Sequence, residues 1–186
     1  MNGVWKRFEE WLATNWQEGL SALNPPATEI EIATLEESIG VPLPKGFKDC
    51  LKVHNGQSGF HGLFDGTEFL STQEILSQWK VWNDLLMSGD FEGIESEPQK
   101  GIRKDWWNAR WIPFTHNGGG DHLCIDLAPD VAGRTGQIIT MWHDMGEREL
   151  KAPSFEAWFE GYVEAVIAGE FVYSKDYGGI VSKDDA

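Results

Sequence analysis

Seven side chains in the second half of the chain are of the types that a metal centre or a nucleophilic site uses: His116, Asp121, His122, Cys124, Asp126, His143 and Asp144. Imidazole, thiolate and carboxylate are all zinc ligands. On an extended strand His122, Cys124 and Asp126 share one face, with alternate positions about 7 Å apart. Against a metal, the segment has no CxxC or HxxxH pair, and Cys124 sits inside an apolar alternation. The expectation is that no metal or other cofactor is held, and that these are core and loop residues. A second reading pairs Cys124 with His122 or His143 as nucleophile and base. A reactive thiol needs a helix N-terminus or positive surroundings to lower its pKa. Asp126 and an acidic chain supply the opposite. We therefore expect no catalytic residue and no enzyme activity, with a small hydrolase as the remote alternative.

Asn117, Gly118, Gly119, Gly120 and Asp121 form the strongest turn signal, because glycine takes positive φ without steric cost. The triple glycine is not a phosphate cradle. It lacks the Lys-Ser/Thr of a Walker loop and the GxGxxG spacing, and Asp121 would repel an anion. Trp-Ile-Pro-Phe-Thr before the turn is apolar. After it Leu123, Ile125 and Leu127 alternate with His122, Cys124 and Asp126. This predicts two antiparallel strands, 111–115 and 122–127, joined by a glycine loop. Asp121 is expected to cap the loop by accepting backbone amide protons.

Ten tryptophans could include sugar-stacking residues. Trp5, Trp11, Trp79, Trp82, Trp111 and Trp158 fall on apolar stripes and are assigned to the core. Trp106 and Trp107 lie beside charges in a stretch, 88–108, with no clean period; its first part holds Asp90, Glu92, Glu95 and Glu97. This segment reads as a surface excursion, mobile or partner-facing, and these six side chains are the candidate partner-binding set. Thirty acidic residues give no basis for singling out a glycosidase carboxylate pair.

The elements that must position these residues follow from periodicity. Val4, Trp5, Phe8, Trp11, Leu12, Trp16 and Leu20 recur at helical steps, predicting a helix over 4–22 that Asn24-Pro25-Pro26 ends. Thr28 and Glu31 form a capping box for a helix carrying Ile32, Leu35 and Ile39 and stopping at Gly40. Pro44 opens a third, with Phe47, Cys50, Leu51 and His54. A glycine-rich loop over 56–66 and a short strand near 68–70 precede a fourth helix. Ser71 or Thr72 caps it, and Ile75, Leu76, Trp79, Trp82, Leu85 and Leu86 are its stripe to Met87. Strands are also expected at 137–143 and near 148–151. Ser154 caps a last helix to Ala168, with Phe155, Trp158, Phe159, Tyr162, Val163, Val166 and Ile167 buried. Helices, then strands, then a helix predict an α+β fold: a single domain over 1–176, with an antiparallel-rich sheet against which the N-terminal helices and a C-terminal helix pack. The tail, 177–186, is expected to fray.

Fifteen basic against thirty acidic residues leave a net charge of −15. Nucleic acid and anionic membrane are polyanions, so the charge argues against both as direct partners; it favours a basic protein partner, or simply solubility. Cys50 and Cys124 make no disulfide framework and are expected to be reduced and buried. No window approaches the roughly 20 apolar residues of a membrane helix, and no signal peptide is evident, so the expected location is cytoplasmic.

Three blocks between about Thr28 and Glu170 together resemble the SUKH superfamily, which includes the Smi/Knr-like cell-wall-assembly regulators and bacterial immunity proteins. The first is Leu43-Pro44 with Phe47, Leu51 and Asn55-Gly56. The second is Trp111 to Phe114, Gly120-Asp121, Cys124, Asp126-Leu127, Gly136 and Ile138. The third is Ser154-Phe155, Trp158-Phe159 and Gly169-Glu170-Phe171. The resemblance implies an α+β fold, no known enzymatic activity and binding of partner proteins; the blocks carry core and turn residues rather than a catalytic set. Joined with the charge, it leads to the expectation of an immunity protein that neutralises a polymorphic toxin, a nuclease for instance, by binding a basic toxin domain. The alternative is a regulatory scaffold for cell-wall assembly or stress signalling.

Overall fold

Local capping sets where the long helices begin. Thr28 accepts the Glu31 amide and Ser71 the Glu74 amide, and each glutamate returns a bond to the cap, so α3 (Glu29–Ile39) and α5 (Thr72–Ser88) start on complete capping boxes. Ser154 caps α6 (Phe155–Ala168), and Gly40, Gly89 and Gly169 end the three helices in left-handed conformation. The computed structural model describes all 186 residues.

The helix expected over 4–22 is two helices, α1 (Asn2–Asn15) and α2 (Gln17–Ala22). Trp16 leaves helical geometry at φ −155° so that its indole can stack on Tyr173, 5.1 Å between centroids. α4 (Lys45–Leu51) stops short of His54. That ring lies beyond the helix, bonded to the Asn24 carbonyl and the Glu9 carboxylate. The expected stripes are trimmed at their ends: Leu85 of α5 and Ile167 of α6 are exposed.

The strands are β1 (Glu68–Phe69), β2 (Glu97–Pro98), β3 (Trp111–Pro113), β4 (Thr115–His116), β5 (His122–Asp126), β6 (Gln137–Met141), β7 (Glu147–Arg148), β8 (Leu150–Ala152), β9 (Phe171–Ser174) and β10 (Gly179–Ser182). The main sheet runs β3-β5-β6-β8 and is antiparallel throughout. β1 pairs with β4 and β9 with β10, both antiparallel; β2 and β7 form a short parallel pair. The architecture is a single α+β domain.

Register explains the core. Leu123, Ile125, Ile138 and Thr140 share one face of the sheet; His122, Cys124, Asp126, Gln137, Ile139 and Met141 share the other. α6 covers the first face, where Phe114 meets Phe155 and Trp158 at 5.3 and 4.8 Å between ring centroids. α5 and the 88–108 segment cover the second, through Trp82 and Trp107. A sheet covered on both faces buries both registers of an alternating strand, which is why Cys124, Ile125 and Asp126 are all buried.

Two expectations are corrected here. The 88–108 segment is not a mobile excursion. Glu97 N–H donates to the Gly146 carbonyl at 2.7 Å, Gln99 N–H to that of Arg148 at 2.8 Å, and the Gln137 amide to that of Gly101 at 2.9 Å. The tail does not fray at 179–182 either. Ile180 and Val181 are buried, and the Ile180 amide donates to Gly62 at 2.7 Å. Both segments are held by partners distant in sequence, which leave no local period.

Candidate functional site

The sheet brings His122, Cys124 and Asp126 onto one face, but inside the protein. Trp82 donates to His122 Nε2 at 3.1 Å, and His122 Nδ1 bonds the Thr115 carbonyl at 2.7 Å. Both ring nitrogens are thus taken. Burial, aided by nearby His116 and opposed by the Thr115 carbonyl, lowers its pKa to about 4. Burial pushes the Cys124 thiol well above the range in which it could ionise. The Asp126 carboxylate accepts from Ala128 N–H and the Gln137 amide, both at 2.9 Å, and burial raises its pKa. This is a hydrogen-bonded polar layer of the core. Cys50 is likewise buried and unpaired, with the Trp5 indole donating to its sulfur.

The glycine loop folds around Asn117 rather than Asp121, which corrects the expected cap. Asn117 Oδ1 accepts from the amides of Gly119 and Asp121 at 2.8 and 3.0 Å. Asp121 instead bonds to a residue just beyond β6: its Oδ1 accepts from both the backbone N–H and the Nδ1 of His143, each at 2.9 Å. Gly118 and Gly120 take φ of +82° and +110°, which L side chains avoid. Burial alone would raise the Asp121 pKa, but the bonds from His143 and Asn117 hold it below the usual carboxylate range. The same Asp121 bond raises the His143 pKa, with Asp144 adding to it. Ligand-type atoms of Asp121, His143 and Asp144 lie within 4.8 Å of one another. The two shifts favour the charged forms of the pair, a protonated His143 beside the Asp121 carboxylate.

Of the candidate contact residues, Asp90, Glu92, Glu95 and Glu97 are exposed. Glu95 pairs with Lys104 at 3.5 Å. Trp107 is a correction. It is only 2% exposed, stacked 5.6 Å from Trp82 and edge-on to Trp111, so no partner can reach it. Trp106 is half-buried, with the Arg148 guanidinium 5.2 Å above its ring. Arg148 itself is buried, donating to the carbonyls of Met145, Glu147 and Trp106, and burial lowers its pKa to about 10.

Sequence reasoning missed the tryptophan that stands outside the core cluster. Nine of the ten tryptophans belong to the core cluster or pack against it; Trp142 alone does neither. It follows β6 and was hidden within an expected strand. It lines a cavity of about 190 Å³ with Trp158, Tyr162, Phe171, Asp65 and Lys151, floored by Leu123 and Thr140. The loop residue Asp121 stands at the same cleft. No helix is long and apolar enough to cross a membrane.

Known proteins resemble the chain throughout this framework. The "Cell wall assembly regulator SMI1" of Saccharomyces cerevisiae is 21% identical over 97% of this chain and 43% of its own length. The "Glucan synthesis regulatory protein" of Neurospora crassa is 22% identical over 92% of this chain and 39% of its own. The chain therefore spans about two-fifths of the length of these fungal relatives. The "Uncharacterized protein YnaB" of Bacillus subtilis is 26% identical over 64% of this chain and 76% of its own length. The profile of the SMI1 / KNR4 family (SUKH-1) matches residues 26–161, from just before α3 into α6. With that match spanning most of the sequence, the chain belongs to the SMI1 / KNR4 family (SUKH-1).

Proposed function

We propose that the chain is a non-enzymatic protein-binding module that acts on a regulatory partner. The observation that carries this is the likeness, over nearly the whole chain, to fungal proteins named as regulators of cell-wall assembly and glucan synthesis. The net charge of −15 supports a basic partner surface, since complementary charge steers encounter and suppresses wrong partners. The remote hydrolase reading is disfavoured by its own residues. Cys124 is buried with its thiol held protonated, and His122 has both nitrogens engaged.

Neutralisation of a toxin is the second reading. It rests on the net charge of −15, which would complement a basic toxin domain. Affinity capture from the native host with mass spectrometry, followed by binding kinetics on the purified pair, tests both. A cell-wall or signalling protein as the specific partner supports the first reading, and a toxin domain the second. Turnover of a substrate by the isolated chain, lost on Cys124→Ala, would refute the non-enzymatic reading.

A further inference from the structure

Trp142 stands at the end of β6, half-buried and outside the core cluster. Across the cleft Trp158 and Tyr162 lie parallel, 5.9 Å between centroids and 10° between planes, and Phe171 closes on Tyr162 at 5.1 Å. The cleft thus offers several aromatic rings around about 190 Å³. That is smaller than the roughly 300–1,000 Å³ of pockets that enclose a whole small-molecule ligand, and it suits one long side chain.

The charges at the cleft select the side chain. Lys151 is paired with Glu149 at 3.5 Å, and His143 with Asp121 and Asp144 at 2.9 and 3.8 Å. Asp65 makes no ion pair within the cleft; Lys151 acts on its carboxylate only at longer range, beside Asp185. Its Oδ1 accepts only the Ser182 amide, at 3.2 Å. Its backbone is held in place, its own N–H donating to the Tyr162 hydroxyl at 3.2 Å while that hydroxyl donates to the Leu63 carbonyl at 2.9 Å. Asp65 is also the one non-glycine residue in left-handed conformation, at φ +48°. A carboxylate on a held backbone, in a cleft lined by aromatic rings, matches a planar cation that stacks and donates at once.

We propose that this cleft receives an arginine side chain of the partner protein, with the guanidinium between Trp142 and Asp65. The proposal rests on the protein-binding reading above and deepens it by naming what the partner presents. A lysine would find the same charge but would not stack as a plane.

The test is a titration of the ¹⁵N-labelled full chain with N-acetyl-arginine methylamide, read at the indole N–H resonances of Trp142 and Trp158. Citrulline and glutamate counterparts are run alongside. The expected result is a saturable millimolar shift with the arginine probe, weakened about tenfold for the isosteric but uncharged citrulline. Asp65→Asn should remove that preference, since Asn tolerates the left-handed backbone. Trp142→Ala should abolish the shift at Trp158 while leaving the melting temperature unchanged. Equal binding of citrulline and arginine, preference for the glutamate probe, or no saturable shift would each overturn the proposal. Recovery of the host partner equally by wild type and Trp142→Ala also overturns it while leaving protein binding intact. Saturable arginine binding with no host partner recovered by either protein supports the cleft chemistry and counts against the binding function.

Discussion

The indole N–H of Trp82 donates to Nε2 of His122 at 3.1 Å, joining α5 to the inner face of the sheet. An indole nitrogen only donates, so Nε2 must carry a lone pair and the proton sits on Nδ1, which donates to the Thr115 carbonyl. The imidazole is therefore neutral, and protonating Nε2 would set two donors against each other in a buried site.

Acid should unfold the protein partly through this ring. The folded pKa of about 4 lies below the ordinary 6.5, so the unfolded chain binds the proton more tightly. The His122 contribution is complete above pH 6.5 and is lost as the pH falls toward 4. It amounts to something of order 3 kcal/mol. Asp126, whose pKa is raised by burial, acts with the opposite sign, so wild type must be compared with His122→Gln. Urea unfolding from pH 7 to 4 should show a shallower loss for the variant; parallel curves would exclude the ring as the cause.

Removing only the donor should also be costly. Trp82→Phe keeps the ring stack but leaves a buried acceptor unpaired, which destabilises by about 1–3 kcal/mol. Denaturant midpoints should move while the slope stays constant, and His122 should become easier to protonate by NMR titration.

Gly120→Val should damage folding. The position has φ +110°, and an added Cβ would lie 3.1 Å from the His143 Cβ. The backbone strain alone is about 1–3 kcal/mol. Because the loop also presents Asp121 to His143, the histidine pKa should fall back toward its ordinary value in the variant. Wild-type stability with loss of partner binding would instead make the loop a recognition site.

Trp107→Ala should act on stability, by about 3–5 kcal/mol, rather than on the dissociation rate of a complex. Neutralising Asp90, Glu92, Glu95 and Glu97 together should do the reverse. These acids are exposed, so unfolding should change by less than about 0.5 kcal/mol each, while association with a basic partner slows. Raising salt should slow wild-type association in the same way. Kinetics unmoved by both salt and the four substitutions would show the acids to be a solvated face only.

Arg148→Leu should loosen the 88–108 segment. The guanidinium bonds the Trp106 carbonyl at 3.0 Å and lies over its ring, tying the segment to β7. Leucine leaves three carbonyls without that donor, a loss of about 2–4 kcal/mol. Limited proteolysis should then cut between Gly89 and Asp105 faster than in wild type.

The helices over 29–39, 72–88 and 155–168, the glycine loop and the β3–β5 pairing were legible in the sequence because each rests on neighbours. Thr28 finds Glu31, Ser71 finds Glu74, and Gly118 and Gly120 take their turn conformation within a few residues of the strands they join. Tertiary structure alone decided that Trp16 breaks the first helix, that residues 179–182 form a strand and that Trp107 is buried. Each answers to a partner far along the chain: Tyr173, Gly62 and Trp82. The same holds at the candidate sites. Composition could place acids and tryptophans in one segment, but which indole stays outside the core cluster depends on which faces the helices cover. α5 closes over Trp107 and Trp111, and α6 covers its face of the sheet while leaving Trp142 at the edge of the cleft.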